Sequence, residues 1–113
     1  MHEYSIVEAL VEQVASEARA RHASAVHRVA VRIGELSGVE IDLLTTAYRT
    51  FRDRTICADA ELHVTRVPAT WACRSCGAPV KPGEVLRCPR CGSPARLVCG
   101  DEILLDRIEM EVE

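Results

Sequence analysis

Aromatic residues are scarce in this sequence: one Trp, two Tyr and one Phe make up 4% of its 113 residues. A surface that holds single-stranded nucleic acid by base stacking needs more aromatic side chains than this. The core must therefore be built mainly from Val, Leu, Ile and Ala. Hydrophobic residues make up 48% of the chain, which is enough for one compact domain or for a small domain with an added module.

Long apolar stretches are also missing. No segment approaches the roughly 18 consecutive apolar residues that a membrane-spanning helix needs. Glu3, Glu8 and Glu12 interrupt the apolar pattern near the N-terminus, so we expect no secretory signal. The sequence therefore predicts a cytoplasmic protein without a membrane partner. In that reducing compartment, six cysteines indicate metal ligands or free thiols before disulfides.

The sequence also lacks an excess of positive charge. The sequence has 14 Lys and Arg against 17 Asp and Glu, which gives a formal net charge of −3. If four cysteines bound one Zn²⁺ as thiolates, four negative and two positive charges would lower the total from −3 to −5. Non-specific nucleic-acid binding requires a basic footprint instead. The charge therefore favours small molecules, metal ions or proteins as partners over nucleic acid.

Hydrophobic periodicity predicts a first helix and three strands. Apolar residues spaced three and four apart over residues 4–21 indicate an amphipathic helix. Apolar and polar residues alternate in "VHRVAVRIG" at 26–34, and a second strand is predicted at 61–67. The third predicted strand lies in "EILLDRIEMEVE" at 102–113.

A second helix is predicted from residue 37 to about residue 54. Ser37 and Glu40 have the spacing of a capping box, with Ser37 as the N-cap. Leu43, Tyr48 and other apolar residues then follow at helical spacing and define its apolar face. Helices and strands in this order predict an α/β (α+β) fold, in which two helices cover one face of a small three-stranded sheet.

Between Trp71 and Cys99 the periodicity disappears. Four prolines, three glycines and five cysteines fall within these 29 residues. We interpret residues 71–99 as a separate module inserted before the last strand, with residues 1–70 as the main α/β domain. Residues 100–113 are expected to return to the sheet of that domain.

Within this module, "CRSCGAP" at 73–79 and "CPRCGSP" at 88–94 repeat one pattern at a fifteen-residue offset. Two such C-x-x-C knuckles can bring four thiolates to one tetrahedral metal ion, at metal–sulfur distances of about 2.3 Å. The glycine after each knuckle allows a tight turn that aims backbone amides at the sulfur atoms. The alternatives are two disulfides, a redox-active C-x-x-C pair or a rubredoxin-like iron site. The doubled knuckle favours structural zinc on four ligands, Cys73, Cys76, Cys88 and Cys91.

A site closed by four cysteines has no open coordination position, so this zinc is expected to stabilise the module and not to catalyse. Cys57 and Cys99 lack a knuckle. We expect Cys57 to be buried as a small hydrophobic residue and Cys99 to stay outside the metal site.

The N-terminal "MHE" is a second candidate metal site. A free α-amine has a pKa of about 7.7–8.0, so near neutral pH it gives up its proton readily to a divalent ion. The amide nitrogen and imidazole Nδ1 of His2 would close five- and six-membered chelate rings around the ion, and the Glu3 amide could add a fourth nitrogen. Such a donor set favours Ni²⁺ or Cu²⁺ over Zn²⁺. The alternative is that a histidine stands at position 2 by chance; solvated side chains are expected for His22, His27 and His63.

Three elements in this order resemble a known family. They are "MHE" followed by Tyr4, Ser5 and an amphipathic helix, then "RIGELSGVE" at 32–40, then the paired knuckles followed by "IEMEVE". Together they are similar to the HypA/HybF hydrogenase maturation nickel chaperones, over essentially the whole chain. The resemblance implies a nickel metallochaperone, with zinc on the four knuckle cysteines and nickel on Met1, His2 and Glu3. No nucleophile–base pair is visible in the sequence and the zinc site is closed, so we expect no enzymatic activity.

The resemblance also implies partners. Such a protein delivers Ni²⁺ to the large subunit of [NiFe] hydrogenase with a HypB-type GTPase, and relatives occur as monomers or homodimers. The main alternative is a zinc-ribbon adaptor for nucleic acid or protein, with an inert N-terminus. It would use the basic residues of the module, which are Arg74, Lys81, Arg87, Arg90 and Arg96 against Glu84. The acidic chain and the single Trp weigh against the nucleic-acid version.

Overall fold

The computed structural model describes residues 2–81 and 86–112. Of the residues singled out above, Met1 and Glu84 lie outside these ranges. In chain order the elements are α1 (Glu3–Ala20), β1 (Ala23–Gly34), α2 (Ile41–Phe51), β2 (Glu61–Val67), β3 (Thr70–Cys73), β4 (Pro79–Val80), β5 (Ala95–Cys99) and β6 (Ile103–Val112). The predicted α/β class, with a small three-stranded sheet, two helices and a four-cysteine module, is confirmed. No helix in either described range is long and apolar enough to span a membrane.

The central strand of the first sheet is β1, in the strand order β2-β1-β6. It pairs in parallel with β2, in a register that starts with Arg28 opposite Glu61. Parallel neighbours need a crossover connection, and α2 lies in the connection between these two strands. The last strand, β6, pairs antiparallel with the other edge of β1, with Val26 opposite Met110. The first sheet therefore combines strands that flank the four-cysteine module in the sequence.

One hydrophobic core joins the two helices to this sheet. The first helix buries residues spaced three and four apart, because one stripe of an amphipathic helix faces the core. The central strand presents its valines and Ile33 to the same core. The fully buried side chains include Val7, Val14, Val29, Ile33, Leu44 and Tyr48. Each such aliphatic side chain stabilises the fold by about 1.5–3 kcal/mol relative to an exposed one.

The second helix begins later than the sequence pattern predicted. Its N-cap residue is Glu40, in an extended conformation, and the helix ends at Phe51. The prediction of Ser37 as N-cap was wrong because Gly38 adopts a left-handed conformation (φ +81°), which interrupts any helix at that point. The Ser37 hydroxyl instead accepts a hydrogen bond from the Val39 amide at 3.3 Å, within a local turn.

The buried face of α2 consists of Leu44 and Tyr48, which lie one turn apart. Leu43, which the spacing placed on the apolar face, is 57% exposed, so that part of the prediction was wrong. The Tyr48 hydroxyl donates to the Ala60 carbonyl at 2.8 Å, which satisfies a polar group that the core would otherwise leave without a partner. These two residues therefore define the face of α2 that lies against the core.

The second sheet is built from the cysteine-rich segment. Its central strand β3 lies between β4 and β5, and both pairings are antiparallel. A separate small cluster forms where Cys73, Val80 and Cys88 are buried beside Trp71. This second core is distinct from the one under the helices, while the domain limits drawn from the sequence stay a prediction.

Candidate metal centres

The four knuckle cysteines meet in one cluster. Their sulfur atoms all lie within 4.8 Å of one another. Cys73 Sγ lies 3.2 Å from Cys91 Sγ, and Cys76 Sγ lies 3.7 Å from Cys88 Sγ. Around a tetrahedral ion with metal–sulfur bonds of about 2.3 Å, neighbouring sulfur atoms lie roughly 3.8 Å apart. The cluster therefore approaches the geometry of a four-thiolate site, and both separations are far longer than the roughly 2.05 Å bond of a disulfide.

The repeated sequence of the two knuckles is also a repeat in structure. In the first knuckle the Cys73 amide donates to the Ala78 carbonyl at 2.8 Å, and the Gly77 amide donates to the Cys73 carbonyl at 3.1 Å. The second knuckle makes the corresponding bonds from Cys88 and Gly92, both at 2.9 Å. The two glycines have φ of +75° and +72°, the left-handed conformation that favours glycine. Each knuckle therefore turns back on itself behind its second cysteine, as predicted.

Backbone amides aimed at sulfur make two of the thiols acidic. The amides of Ser75 and Cys76 donate to Cys73 Sγ, each at 3.3 Å. Chiefly through the Cys76 amide, the pKa of Cys73 falls to about 6. Backbone amides, that of Cys91 first, likewise lower the pKa of Cys88. A lowered pKa favours the thiolate form of both residues, which is the form that binds a metal ion.

The thiol of Cys76 behaves differently. The Ala78 amide lowers its pKa, but hydrogen bonds to the Cys73 and Cys88 sulfur atoms outweigh that effect and raise the pKa to about 11. Adjacent thiolates repel one another, so without an ion this part of the cluster retains a proton. A divalent cation removes both the repulsion and the proton.

Protein contacts also hold the two knuckles together. The Ser75 hydroxyl donates to the Ser93 hydroxyl at 2.8 Å, from one knuckle to the other. The Arg74 amide donates to the Pro94 carbonyl at 3.1 Å and reinforces this connection. The two knuckles are therefore joined by hydrogen bonds of their own, in addition to any shared ion.

The first described residue, His2, stands immediately before α1 as its N-cap residue. Its imidazole is exposed and makes no capping hydrogen bond within the described chain. Its carbonyl accepts hydrogen bonds from the amides of Ser5 and Ile6, at 3.1 and 3.3 Å. The first amides of a helix have no carbonyl partner inside it, so the amides of His2 and Glu3 are not needed for helix hydrogen bonds. An exposed imidazole therefore lies beside two amides that make no hydrogen bond within the helix, while Met1, the source of the predicted amine ligand, lies outside the described residues.

The side chain of Glu3 connects the start of α1 to the start of α2. Its Oε2 accepts a hydrogen bond from the Glu40 amide at 3.3 Å. Its own amide, and then the Glu40 amide, lower the pKa of Glu3. Beside it, the Tyr4 ring packs edge-on against Phe51, with ring centroids 5.3 Å apart. The second helix therefore helps to position the N-terminal residues.

The sequence pattern did not reveal this role of Glu40. The capping-box spacing directed its side chain towards the Ser37 amide, whereas its own amide is bonded to Glu3. The two residues are 37 positions apart, so no local spacing could have indicated the contact. The exposed side chain of Glu40 adds a second carboxylate to this end of the molecule.

The remaining candidate residues do not form metal sites in the described chain. Cys57 is fully buried, as predicted, and burial raises its thiol pKa. Cys99 lies outside the cysteine cluster, and its Sγ is 2.9 Å from Thr70 Oγ1. The side chains of His22, His27 and His63 are exposed, and none of them belongs to a metal-binding cluster of the described residues.

Comparison with known proteins places these features in a family. The family profile described as "Hydrogenase/urease nickel incorporation, metallochaperone, hypA" matches residues 1–110. A hydrogenase maturation factor HypA from Shewanella sp. (strain MR-7) is 44% identical over 115 residues, covering 100% of this chain and 98% of the relative.

Solved structures agree with the sequence match. The solution structure of the Ni metallochaperone HypA from Helicobacter pylori is 32% identical, covers 100% of both chains and has a TM-score of 0.75. A second solution structure of a HypA protein is also 32% identical, with a TM-score of 0.82 and coverage of 100% of this chain and 98% of that one. The chain therefore belongs to the HypA family of nickel-incorporation metallochaperones.

Proposed function

We propose that this protein binds Ni²⁺ and delivers it during the maturation of [NiFe] hydrogenase. Family membership supports the proposal, because the matching profile names nickel incorporation and the Shewanella relative is named as a hydrogenase maturation factor. One observation carries it to particular residues: the exposed imidazole of His2 stands beside two amides that α1 does not need. Nickel is then a cargo, and the protein performs no catalytic step.

The nickel ligands are proposed to come from Met1, His2 and Glu3. The α-amine, the His2 amide and imidazole Nδ1, and the Glu3 amide are nitrogen donors of the kind that Ni²⁺ prefers. The amine, Nδ1 and the Glu3 amide each form a chelate ring with the His2 amide, so all four cannot share one plane. The site is therefore distorted or takes a ligand from elsewhere in the protein. Each amide must lose its proton to bind, so nickel uptake releases protons and weakens as the pH falls. Reprotonation of these amides, or competition from thiolates of an acceptor protein, would release the ion.

The Glu3 carboxylate supports this site in two ways. Its hydrogen bond from the Glu40 amide fixes the first turn of α1 against α2, directly beside His2. It is ionised at neutral pH, as an ordinary glutamate is, and a negative charge close to the terminus attracts a divalent cation.

The four-cysteine cluster is proposed to hold Zn²⁺ in a structural role. Four sulfur atoms within 4.8 Å of one another suit zinc, and a site with four thiolate ligands leaves no coordination position for water or substrate. The ion would neutralise the thiolate charge and hold the second sheet together. Iron suits the same four sulfur atoms, so we expect purified protein to be colourless with one zinc per chain, whereas a red iron-containing protein would contradict the assignment.

The proposed partners are a HypB-type GTPase and the hydrogenase large subunit. Both follow from the family resemblance. The four-cysteine module offers a docking surface for them, because its arginines Arg74, Arg87, Arg90 and Arg96 are exposed. An acidic surface on a partner would complement this charge.

A Ni²⁺ titration tests the proposal. Zinc-loaded protein with its native terminus is compared with a version that carries one additional N-terminal Gly, which preserves every side chain but moves the α-amine away from His2. We expect the extension, and separately His2→Ala, to abolish nickel binding and its square-planar absorption band. Glu8→Ala is the matched control, since it removes an exposed carboxylate from α1 outside the site.

Equal binding by the native and extended proteins would overturn the amine ligand. Undiminished binding by His2→Ala would overturn the N-terminal site as a whole.

A further inference from the structure

Two stretches of chain link the first sheet to the four-cysteine module. Residues 67–70 lead out of β2 into β3, and residues 99–103 lead back from β5 into β6. The motif "GELSGVE" at 34–40 begins where β1 ends, and its first three residues lie against both links.

Backbone hydrogen bonds join this motif to both links. The Glu35 amide donates to the Val67 carbonyl at 2.8 Å, on the outgoing link. The Leu36 amide donates to the Gly100 carbonyl at 2.6 Å, on the returning link. Consecutive residues of one segment thus hold the two connections side by side.

The Glu35 side chain adds a bond that the backbone cannot make. Its Oε1 accepts a hydrogen bond from the Ala69 amide at 3.1 Å, while its own amide is bonded to Val67. Pro68 lies between these two contacts and has no N–H to contribute. Glu35 therefore makes hydrogen bonds to the outgoing link on both sides of Pro68, with Val67 and with Ala69.

Two glycines show how closely the links approach. A Cβ at Gly34 would overlap the backbone of Gly100. Gly100 has a φ of +112°, and a Cβ there would lie 2.5 Å from Ala69 Cα. The backbones at Gly34, Gly100 and Ala69 therefore approach so closely that no side chain fits between them.

We propose that Glu35 is a positioning residue that sets the orientation of the four-cysteine module relative to the first sheet. It acts through the interdomain clasp, which we define as residues 34–36, 67–69 and 100–102. The Glu35 side chain is exposed and belongs to neither hydrophobic core, so its contact at the clasp is not a packing contribution to either module. The proposal does not depend on nickel or on hydrogenase.

The clasp is also connected to the N-terminal residues. The segment that begins at Glu35 continues through the Gly38 turn to Glu40, whose amide holds the Glu3 carboxylate. Residues 35–40 are thus hydrogen-bonded to the module links at one end and to the first turn of α1 at the other.

Residual dipolar couplings of the full zinc-loaded chain, recorded without nickel, test the proposal. They report whether the amides of the two sheets share one alignment tensor. We expect a common tensor for the native protein and its loss in Glu35→Ala, with unchanged chemical shifts within each core. Glu35→Gln retains a side-chain oxygen that can accept the Ala69 amide, so it should restore the common tensor.

Glu102→Ala is the charge control, because it removes an exposed carboxylate from the returning link but leaves its backbone carbonyl in place. Loss of the common tensor in this variant to the same extent as in Glu35→Ala would overturn the proposal, as would a common tensor in Glu35→Ala. If Glu35→Ala does not fold, Gly100→Ala provides the second variant. It strains the clasp from the other link, and an unchanged tensor there would equally overturn the role of the clasp.

Discussion

The amide of Glu40 donates a hydrogen bond to the carboxylate of Glu3, 37 positions earlier in the sequence. The contact places a negative charge at the N-terminus of α2, where the helix dipole favours it. It also ties the residue after His2 to the body of the fold. A nickel site at this terminus would therefore use ligands whose position depends on tertiary structure.

We predict that Glu3 titrates with a midpoint below 4.5, the ordinary pKa of a glutamate side chain, because its own amide and the Glu40 amide stabilise the ionised form. Since the folded-state pKa is lowered, the contact stabilises the fold above the unfolded-state pKa. That contribution is lost as the pH falls through the folded-state pKa. Carbon-detected NMR titration of the Glu3 carboxyl, with urea-unfolded protein as the reference, measures both midpoints.

The same reasoning predicts that Glu3→Gln is less stable than the native protein at neutral pH. The difference should disappear below the folded-state pKa of Glu3. Equal midpoints for Glu3 in the folded and unfolded protein would contradict both statements.

Removing zinc should unfold the second sheet and leave the first one intact. The second cluster is small and includes two of the four knuckle cysteines, Cys73 and Cys88, whereas the core under the helices contains none of the four. Trp71, the single tryptophan of the sequence, packs against the second cluster and reports on it alone. We expect a chelator to shift Trp71 fluorescence to longer wavelength while far-ultraviolet circular dichroism retains the helical signal.

Cys76→Ser should reproduce this result without a chelator, since it removes one of the four proposed zinc ligands. Cys99→Ser is the matched control, because Cys99 lies in the same module but outside the cluster. A cooperative loss of both signals would show that the two sheets fold as one unit.

Local patterns in the sequence predicted the local elements well. The strand predicted at 61–67 is Glu61–Val67, and the first helix begins one residue from its predicted start. The knuckles were equally readable, because a C-x-x-C followed by glycine determines its own turn within a few residues. Such signals require no knowledge of the rest of the fold.

Contacts between distant segments were not readable. The capping-box spacing favoured Ser37, but Gly38 is left-handed, and the residues before it, 34–36, make backbone hydrogen bonds to both module links. The contact between Glu3 and Glu40 likewise depends on how α1 packs against α2. In both cases tertiary geometry overrides a local preference, and the sequence pattern alone favours the wrong hydrogen bond.

The orientation of α2 against the core predicts different effects of substitution at two adjacent leucines. Leu44 is 1% exposed and Leu43 is 57% exposed. Leu44→Ala should therefore lower the free energy of unfolding by about 2–5 kcal/mol, through lost burial and a cavity. Leu43→Ala should change it by no more than about 0.5 kcal/mol. Urea denaturation of the zinc-loaded proteins measures both changes. Similar losses of unfolding free energy in the two variants would mean that another face of α2 lies against the core.

The knuckle glycines allow a sharper test of the cysteine cluster. Gly77 and Gly92 have φ of +75° and +72°, and a Cβ at either position would meet nothing within 4 Å. Replacement by Ala therefore costs only the left-handed conformation, about 1–2 kcal/mol for each residue. Since these turns aim amides at the thiolates, the cost should appear as a zinc affinity weakened roughly 5- to 30-fold. Competition with a chromophoric chelator measures it.

Gly38 is the matched control for this prediction. Its φ of +81° and its open surroundings are nearly the same, but it lies in the turn before α2. Gly38→Ala should therefore lower the stability of the first sheet by about 1–2 kcal/mol and leave zinc affinity unchanged. If Gly38→Ala weakens zinc binding as much as Gly77→Ala does, strain at this turn reaches the cysteine cluster through residues 34–36. The cost at the knuckles could then not be assigned to their own amides.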